Sequence, residues 1–204
     1  MIILVTGFEP FGAHAVNPSE GLAKAVDGRQ VGACAVRSLV LPVHHASADA
    51  LMAGALEELE PGAVIHLGLA AGRARIAVER VAINVMDYEI PDTRGFQPRG
   101  EACIAGGPEA YFSTLPVDAI VEALRGAGIP AYVSSTAGTY VCNRTLYATL
   151  HALARSGRPT RAGLIHLPLL PAMVAAGGAD QPSMDFPLML RAVEVALDTV
   201  AGAA

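Results

Sequence analysis

Lysine is nearly missing from the 204-residue chain: of its 14 cationic side chains, 13 are arginine. They are scattered, and the formal net charge is −5. A nucleic-acid binder concentrates basic charge on one face or in one run, and no such run is visible. Charged residues make up only 16% of the chain against 52% hydrophobic, which excludes disorder. No segment reaches 18 uninterrupted apolar residues, so no membrane span is expected. The opening Met1-Ile2-Ile3-Leu4-Val5-Thr6 has no basic flank, and its apolar run stops early, so no signal peptide is expected. Cysteine is scarce: Cys34, Cys103 and Cys142 are odd in number and widely spaced. That fits neither a disulfide framework nor a zinc cluster and predicts a reducing, cytoplasmic setting. Internal repeats and low-complexity tracts are also missing.

What is present alternates between strand and helix. Residues 1–6 read as a buried strand, and the Gly- and Pro-rich stretch Gly7–Gly12 as a loop. Asn17 followed by Pro18 and Glu20 predicts a helix start, running to about Val26. Strands are expected over 31–43, 63–68, 76–86, 131–135 and 162–167. Helices are expected over 45–59, 116–126, 141–155 and 184–201. Residues 87–114 read as a long loop, of the kind that is functional or mobile. The alternation predicts an α/β sandwich with a largely parallel sheet. No linker divides the chain, so a single domain over 1–204 is expected.

Several motifs fail on their own terms. Gly7 and Gly12 have phosphate-loop spacing, but Ala13-His14 stands where Lys-Ser/Thr must follow. No Gly-x-Ser-x-Gly elbow exists. His44-His45 is a tempting metal pair, but adjacent side chains are expected to point apart and no third ligand is near in sequence. That pair reads as surface or loop, and no metal site is expected.

Cys142 is different. A strand ends near Ser135, a turn holding Gly138 follows, and helical pattern begins near Val141. Cys142 is therefore placed in the first helical turn, where free N–H groups and the helix dipole favour a thiolate. Those N–H groups also suit an oxyanion. The plainer alternative is a small buried hydrophobe. His166 lies in the otherwise apolar Leu164-Ile165-His166-Leu167-Pro168, either a satisfied core residue or a base for a thiol. Glu79 lies on an alternating strand and is expected to share a face with Val81, Ile83 and Val85. A carboxylate there needs a partner: an arginine such as Arg73 or Arg80, or His166.

These residues carry a resemblance to the pyroglutamyl peptidase I (pyrrolidone-carboxylate peptidase) family of cysteine peptidases. It rests on Thr6–Gly12 with Asn17-Pro18-Ser19, on Gly72-Arg73 and Glu79–Asn84, and on Ile90-Pro91-Asp92. It continues through Ala110–Pro116, Ala137–Asn143 and Ile165–Pro168. The resemblance implies an α/β/α sandwich and a cofactor-free Cys142–His166–Glu79 triad acting as nucleophile, base and orienting group. It also implies removal of N-terminal pyroglutamate from peptides and a homo-oligomer, often a tetramer. It places Phe8 and Phe11 against the lactam ring, with Asn17 close by, Leu69 in the Gly68–Arg73 segment, and Tyr140-Val141 on the other side. A neutral lactam suits an apolar slot with a few amide-directed hydrogen bonds.

The chain departs from the family pattern at Leu69, Glu89, Thr93 and Arg144. Leu69 leaves only backbone for polar contact, and Glu89 reverses a charge beside the expected pocket. A cysteine amidase acting on another small cyclic amide, and a silent binding protein on the same scaffold, remain as alternatives.

Overall fold

A computed structural model describes residues 1–177 and 180–203. The chain opens with the buried strand β1 (Ile2–Phe8) and enters α1 (Pro18–Val26), whose N-cap Asn17 accepts from the Ser19 N–H. The single strand expected over 31–43 is instead a hairpin of β2 (Gln30–Val31) and β3 (Cys34–Leu41). Gly32, at φ 57°, turns the chain between them. Next come α2 (His45–Leu59) and β4 (Ala63–Leu69), which is buried throughout.

The strand expected over 76–86 breaks at Arg80. Its pieces are β5 (Ile76–Glu79), β6 (Val81–Ile83) and β7 (Met86–Asp87). Only β5 joins the main sheet. Glu79 therefore shares no continuous strand face with Val81, Ile83 and Val85. The expected long loop is partly strand too: β8 (Arg99–Glu101) pairs with β7, and β9 (Ala110–Phe112) with β6. Such three-residue ribbons are too short to leave a readable alternation.

The remaining elements are α3 (Val117–Gly126), β10 (Ala131–Ser134), α4 (Val141–Ser156), β11 (Arg161–Leu167), α5 (Pro171–Gly177) and α6 (Phe186–Gly202). Helix α5 was not anticipated; it buries no residue, so it has no apolar stripe to read. The main sheet has the order β10-β5-β11-β4-β1-β3-β2. Its centre is parallel, and β5 runs antiparallel to β11, so the sheet is mixed. Helices α1, α3 and α6 pack one face, including Leu22, Ile120 and Leu197, and α2 and α4 pack the other through Met52, Leu146 and Leu150. The result is an α/β/α sandwich.

One polar side chain crosses this apolar interior. His66 on β4 is fully buried and bonded at Nδ1 to Thr6 Oγ1 (2.8 Å) and at Nε2 to Thr149 Oγ1 (3.1 Å). Burial pulls its pKa down from 6.5 to about 3. The unfolded chain therefore binds a proton that the folded chain refuses between those values. Stability is fully present above the unfolded value and is lost as pH falls through that window. From pH 7 to pH 5 this single group removes about 2 kcal/mol. Urea unfolding of the wild type and His66→Gln at both pH values measures it: the variant's loss over this interval is expected to be smaller.

Candidate functional site

Strand β1 leads through α1 to β3 on one side of itself, and β3 leads through α2 to β4 on the other. The strand order reverses between β1 and β4, and in such sheets a crevice opens beyond the carboxyl ends of the strands there. The β1–β4 ladder stops at Thr6 and His66, while β4 continues to Leu69. The Ala70 N–H turns to Leu167 O on β11, so by strand alternation the Leu69 peptide groups face the gap toward β1.

The side chains of Glu79, His166 and Cys142 meet beside this crevice. On the antiparallel β5–β11 pair, Leu164 stands opposite Glu79 and His166 opposite Ala77, so Glu79 and His166 are diagonal neighbours on one face. Glutamate is long enough to span the diagonal: His166 Nδ1–H donates to Glu79 Oε1 at 2.8 Å. Arg73 Nη1 donates to the same oxygen at 2.7 Å and is anchored by a further bond from Nη2 to Thr136 O. The arginine and the histidine therefore both partner Glu79, whose side chain has no solvent exposure. Arg80 pairs instead with Asp118.

On the other side of His166, in register with it across the parallel β4–β11 ladder, is Gly68. A Cβ added there would stand 2.9 Å from Cys142 Sγ and 3.0 Å from His166 Nε2. The sulfur and the free ring nitrogen thus converge on the space that a side chain at residue 68 would fill.

Cys142 is the second residue of α4 and is partly exposed. The N-cap, Tyr140, makes no side-chain capping bond, so first-turn N–H groups stay available. The expected ionised sulfur is not what the resting structure favours. Burial, and then the negative charge of Glu79, push the thiol up to about 12; its own backbone N–H and Arg73 pull the other way and lose. The balance of these influences favours the protonated thiol in the resting site.

Cys142 opens onto a narrow slot enclosing about 210 Å³ of empty space. Phe8, Phe11 and Asn17 line one side, and Leu69, Tyr140 and Val141 also contribute, with Val43 added. All six residues expected to bind substrate are here. Phe8 lines the slot and is also core, at 2% exposure. Phe11 and Tyr140 stand with ring centres 5.7 Å apart. The Asn17 amide is largely committed, with Oδ1 accepting from Ser19 and Nδ2 donating to Glu9 O.

Of the other positions considered, Cys34 is buried in β3, and Cys103 is buried with its thiol pushed up to about 11 by burial. Glu89 lines a second hollow that adjoins the slot at Phe11 and Tyr140. Arg144 points away into an ion pair with Asp49 (2.5 Å). His44 and His45 do not point apart: their ring centres are 5.2 Å apart, because His44 is the N-cap of α2 and the chain bends there. Asp92 joins them from a distant loop, with one ligand atom from each of the three within 4.8 Å of the others.

Three residues that hold the site were not singled out from sequence. Gly68 gave no signal of its own, since a strand glycine has many causes. Arg73 was weighed only as a partner for Glu79. Asn143 is fully buried and bonds Ile83 N–H, Ile83 O and Val85 O, fixing the start of α4 against the segment after β5.

The family model described as pyroglutamyl peptidase matches residues 1–203. Pyrrolidone-carboxylate peptidase from Pyrococcus furiosus is 44% identical over 201 residues, covering 97% of both chains. The protein of the same name from Klebsiella pneumoniae is 47% identical over 195 residues, covering 96% of this chain and 90% of the other. A solved structure of a mutant pyrrolidone carboxyl peptidase from Pyrococcus furiosus superposes with a TM-score of 0.97 at 42% identity, covering 100% of this chain and 99% of that one. Sequence, fold and the extent of both matches agree: the chain belongs to the pyroglutamyl peptidase family.

Proposed function

We propose that this chain is a cysteine peptidase that releases N-terminal pyroglutamate from peptides, with Cys142 as nucleophile, His166 as general base and then acid, and Glu79 as the group that orients the imidazole. The observation that carries the reading is the convergence of Cys142 Sγ and His166 Nε2 on the space above Gly68, with Glu79 holding the far side of the ring. The whole chain, 1–204, acts as one catalytic domain. A cytoplasmic, reducing setting suits its free thiols. A tetrameric assembly is part of the same reading.

Because the resting thiol is neutral, activation accompanies attack. As Sγ bonds to the pyroglutamyl carbonyl carbon, its proton passes to His166 Nε2. The charge gathering on the carbonyl oxygen is met by N–H groups of the first turn of α4. His166 returns the proton to the departing amine, leaving a thioester. Water, deprotonated by His166, then adds to the thioester carbon and expels the thiolate, which regains a proton. Glu79 keeps Nδ1–H directed at itself, so Nε2 is the nitrogen free to accept, and it stabilises the imidazolium formed in both steps. Arg73 shares Glu79 Oε1 and holds the carboxylate in place.

The slot suits a flat, neutral ring. Phe8, Phe11, Tyr140 and Val141 offer apolar walls, and Asn17 closes one side. With Leu69 unable to bond through its side chain, the polar partner for the lactam at that point is the Leu69 peptide group facing the gap. The backbone serves here because its direction is set by the strand ladder.

Cys142→Ala is expected to abolish release of a fluorogenic amine from a pyroglutamyl amide; wild-type turnover would overturn the reading. A panel including prolyl and glutaminyl amides separates it from another cyclic-amide hydrolase. Glu79→Gln keeps the shape and is expected to cost on the order of 10² or more in kcat, by analogy with other triads. Gly68→Ala inserts a methyl group between sulfur and imidazole, and its kcat is expected to fall while circular dichroism stays native. With its thiol high, Cys142 is expected to be alkylated by iodoacetamide about tenfold faster per pH unit from pH 7 to 9. A rate that is flat over this range would show a resting thiolate.

A further inference from the structure

Behind the slot, the start of α2 meets the loop after β7. His45 opens the helix, His44 caps it, and Asp92 reaches them from Ile90-Pro91-Asp92. The Asp92 side chain has no solvent exposure. Its Oδ1 is used, accepting from the Arg94 and Phe96 N–H groups. Its Oδ2 is buried without a hydrogen-bond partner, and so is His45 Nδ1. These two atoms face each other at 3.6 Å, too far for a hydrogen bond. That spacing is close to the ~3.4 Å edge of a tetrahedron built on ~2.1 Å metal–ligand bonds.

We propose that His44, His45 and Asp92 form a site for a divalent transition-metal ion of the zinc class, which fastens the 88–97 loop to the start of α2. Two imidazoles and one carboxylate match the donor preferences of such ions and leave a coordination position for water. The ring of Phe96 lies 4.5 Å from that of His45 and holds its orientation. The His45 side chain, 22% exposed, gives an ion a way in. The guanidinium of Arg144 opposes a cation here, but it is itself paired with Asp49.

The ion would act on the slot's wall. Val43, which lines the slot, accepts from the Thr93 N–H and Oγ1, and Pro91 O accepts from the Tyr140 hydroxyl. A metal tying residue 92 to residues 44 and 45 would brace both of these links.

The test uses Cys142→Ser, so that zinc has no catalytic thiol to bind, and it reads metal binding instead of hydrolysis. Calorimetric titration with Zn²⁺ is expected to show one ion per chain, and hydrogen exchange at the Arg94 and Phe96 amides is expected to slow. Adding His45→Phe is expected to weaken binding by about tenfold or more. His44→Asn provides a second variant that keeps a good N-cap while removing the imidazole. With Cys142 intact and a chelator present, so that no ion braces the slot in any sample, both histidine variants should hydrolyse a pyroglutamyl amide at the wild-type rate, which checks the fold. Absence of binding in Cys142→Ser overturns the proposal, and so does equal binding in the histidine variants.

Discussion

A carboxylate sealed from solvent must be met by charge or by donors, and the way Glu79 meets that demand organises one side of the sheet. A single oxygen, Oε1, takes both the Arg73 guanidinium and the His166 imidazole. The first contact ties down the segment leaving β4; the second joins β5 to β11. Arg73 also reaches Thr136 O, so the turn that delivers α4 is held by the same arginine. Removing either partner would leave a buried charge half-compensated, a fault far costlier than the loss of a surface ion pair. The same geometry that engages Glu79 Oε1 fixes the imidazole with its second nitrogen toward Cys142.

The parallel core strands and the long helices were readable because each carries a sustained pattern, such as the apolar runs of β1, β4 and β11 and the Asn17-Pro18 start of α1. Cys142, His166 and Glu79 were legible individually as chemistry in unusual surroundings. Their meeting was not, because it depends on β5 running antiparallel to β11 and on the chain breaking at Arg80, neither of which leaves a period in the sequence. Family resemblance supplied the grouping that spacing alone left open. Gly68 shows the limit most clearly. Its importance lies in atoms it does not have, and only its neighbours across the ladder reveal that. The surroundings of the Cys142 thiol show a related limit: a helix start is visible in sequence, but the burial and the nearby carboxylate that oppose it are not.

The slot has a similar economy. Asn17 caps α1, links to Glu9 and still lines the cavity; Tyr140 precedes α4, packs its ring beside Phe11 and bonds Pro91 O. Because such side chains are fixed by structural duties, their positions are set before any ligand arrives, and little ordering is left for binding to accomplish. It also means that substitutions intended to alter recognition at these residues will disturb helix ends as well.

The high proton affinity of the Cys142 sulfur has a consequence for the molecule's chemical exposure. Peroxide and indiscriminate electrophiles consume thiolates, and a sulfur that stays protonated at rest offers them little to attack. On the proposed mechanism, nucleophilic character appears only when a carbonyl is seated within reach of both sulfur and imidazole. A covalent inhibitor would then derive its selectivity from the fit of its ring in the slot, with a warhead of modest intrinsic reactivity sufficing.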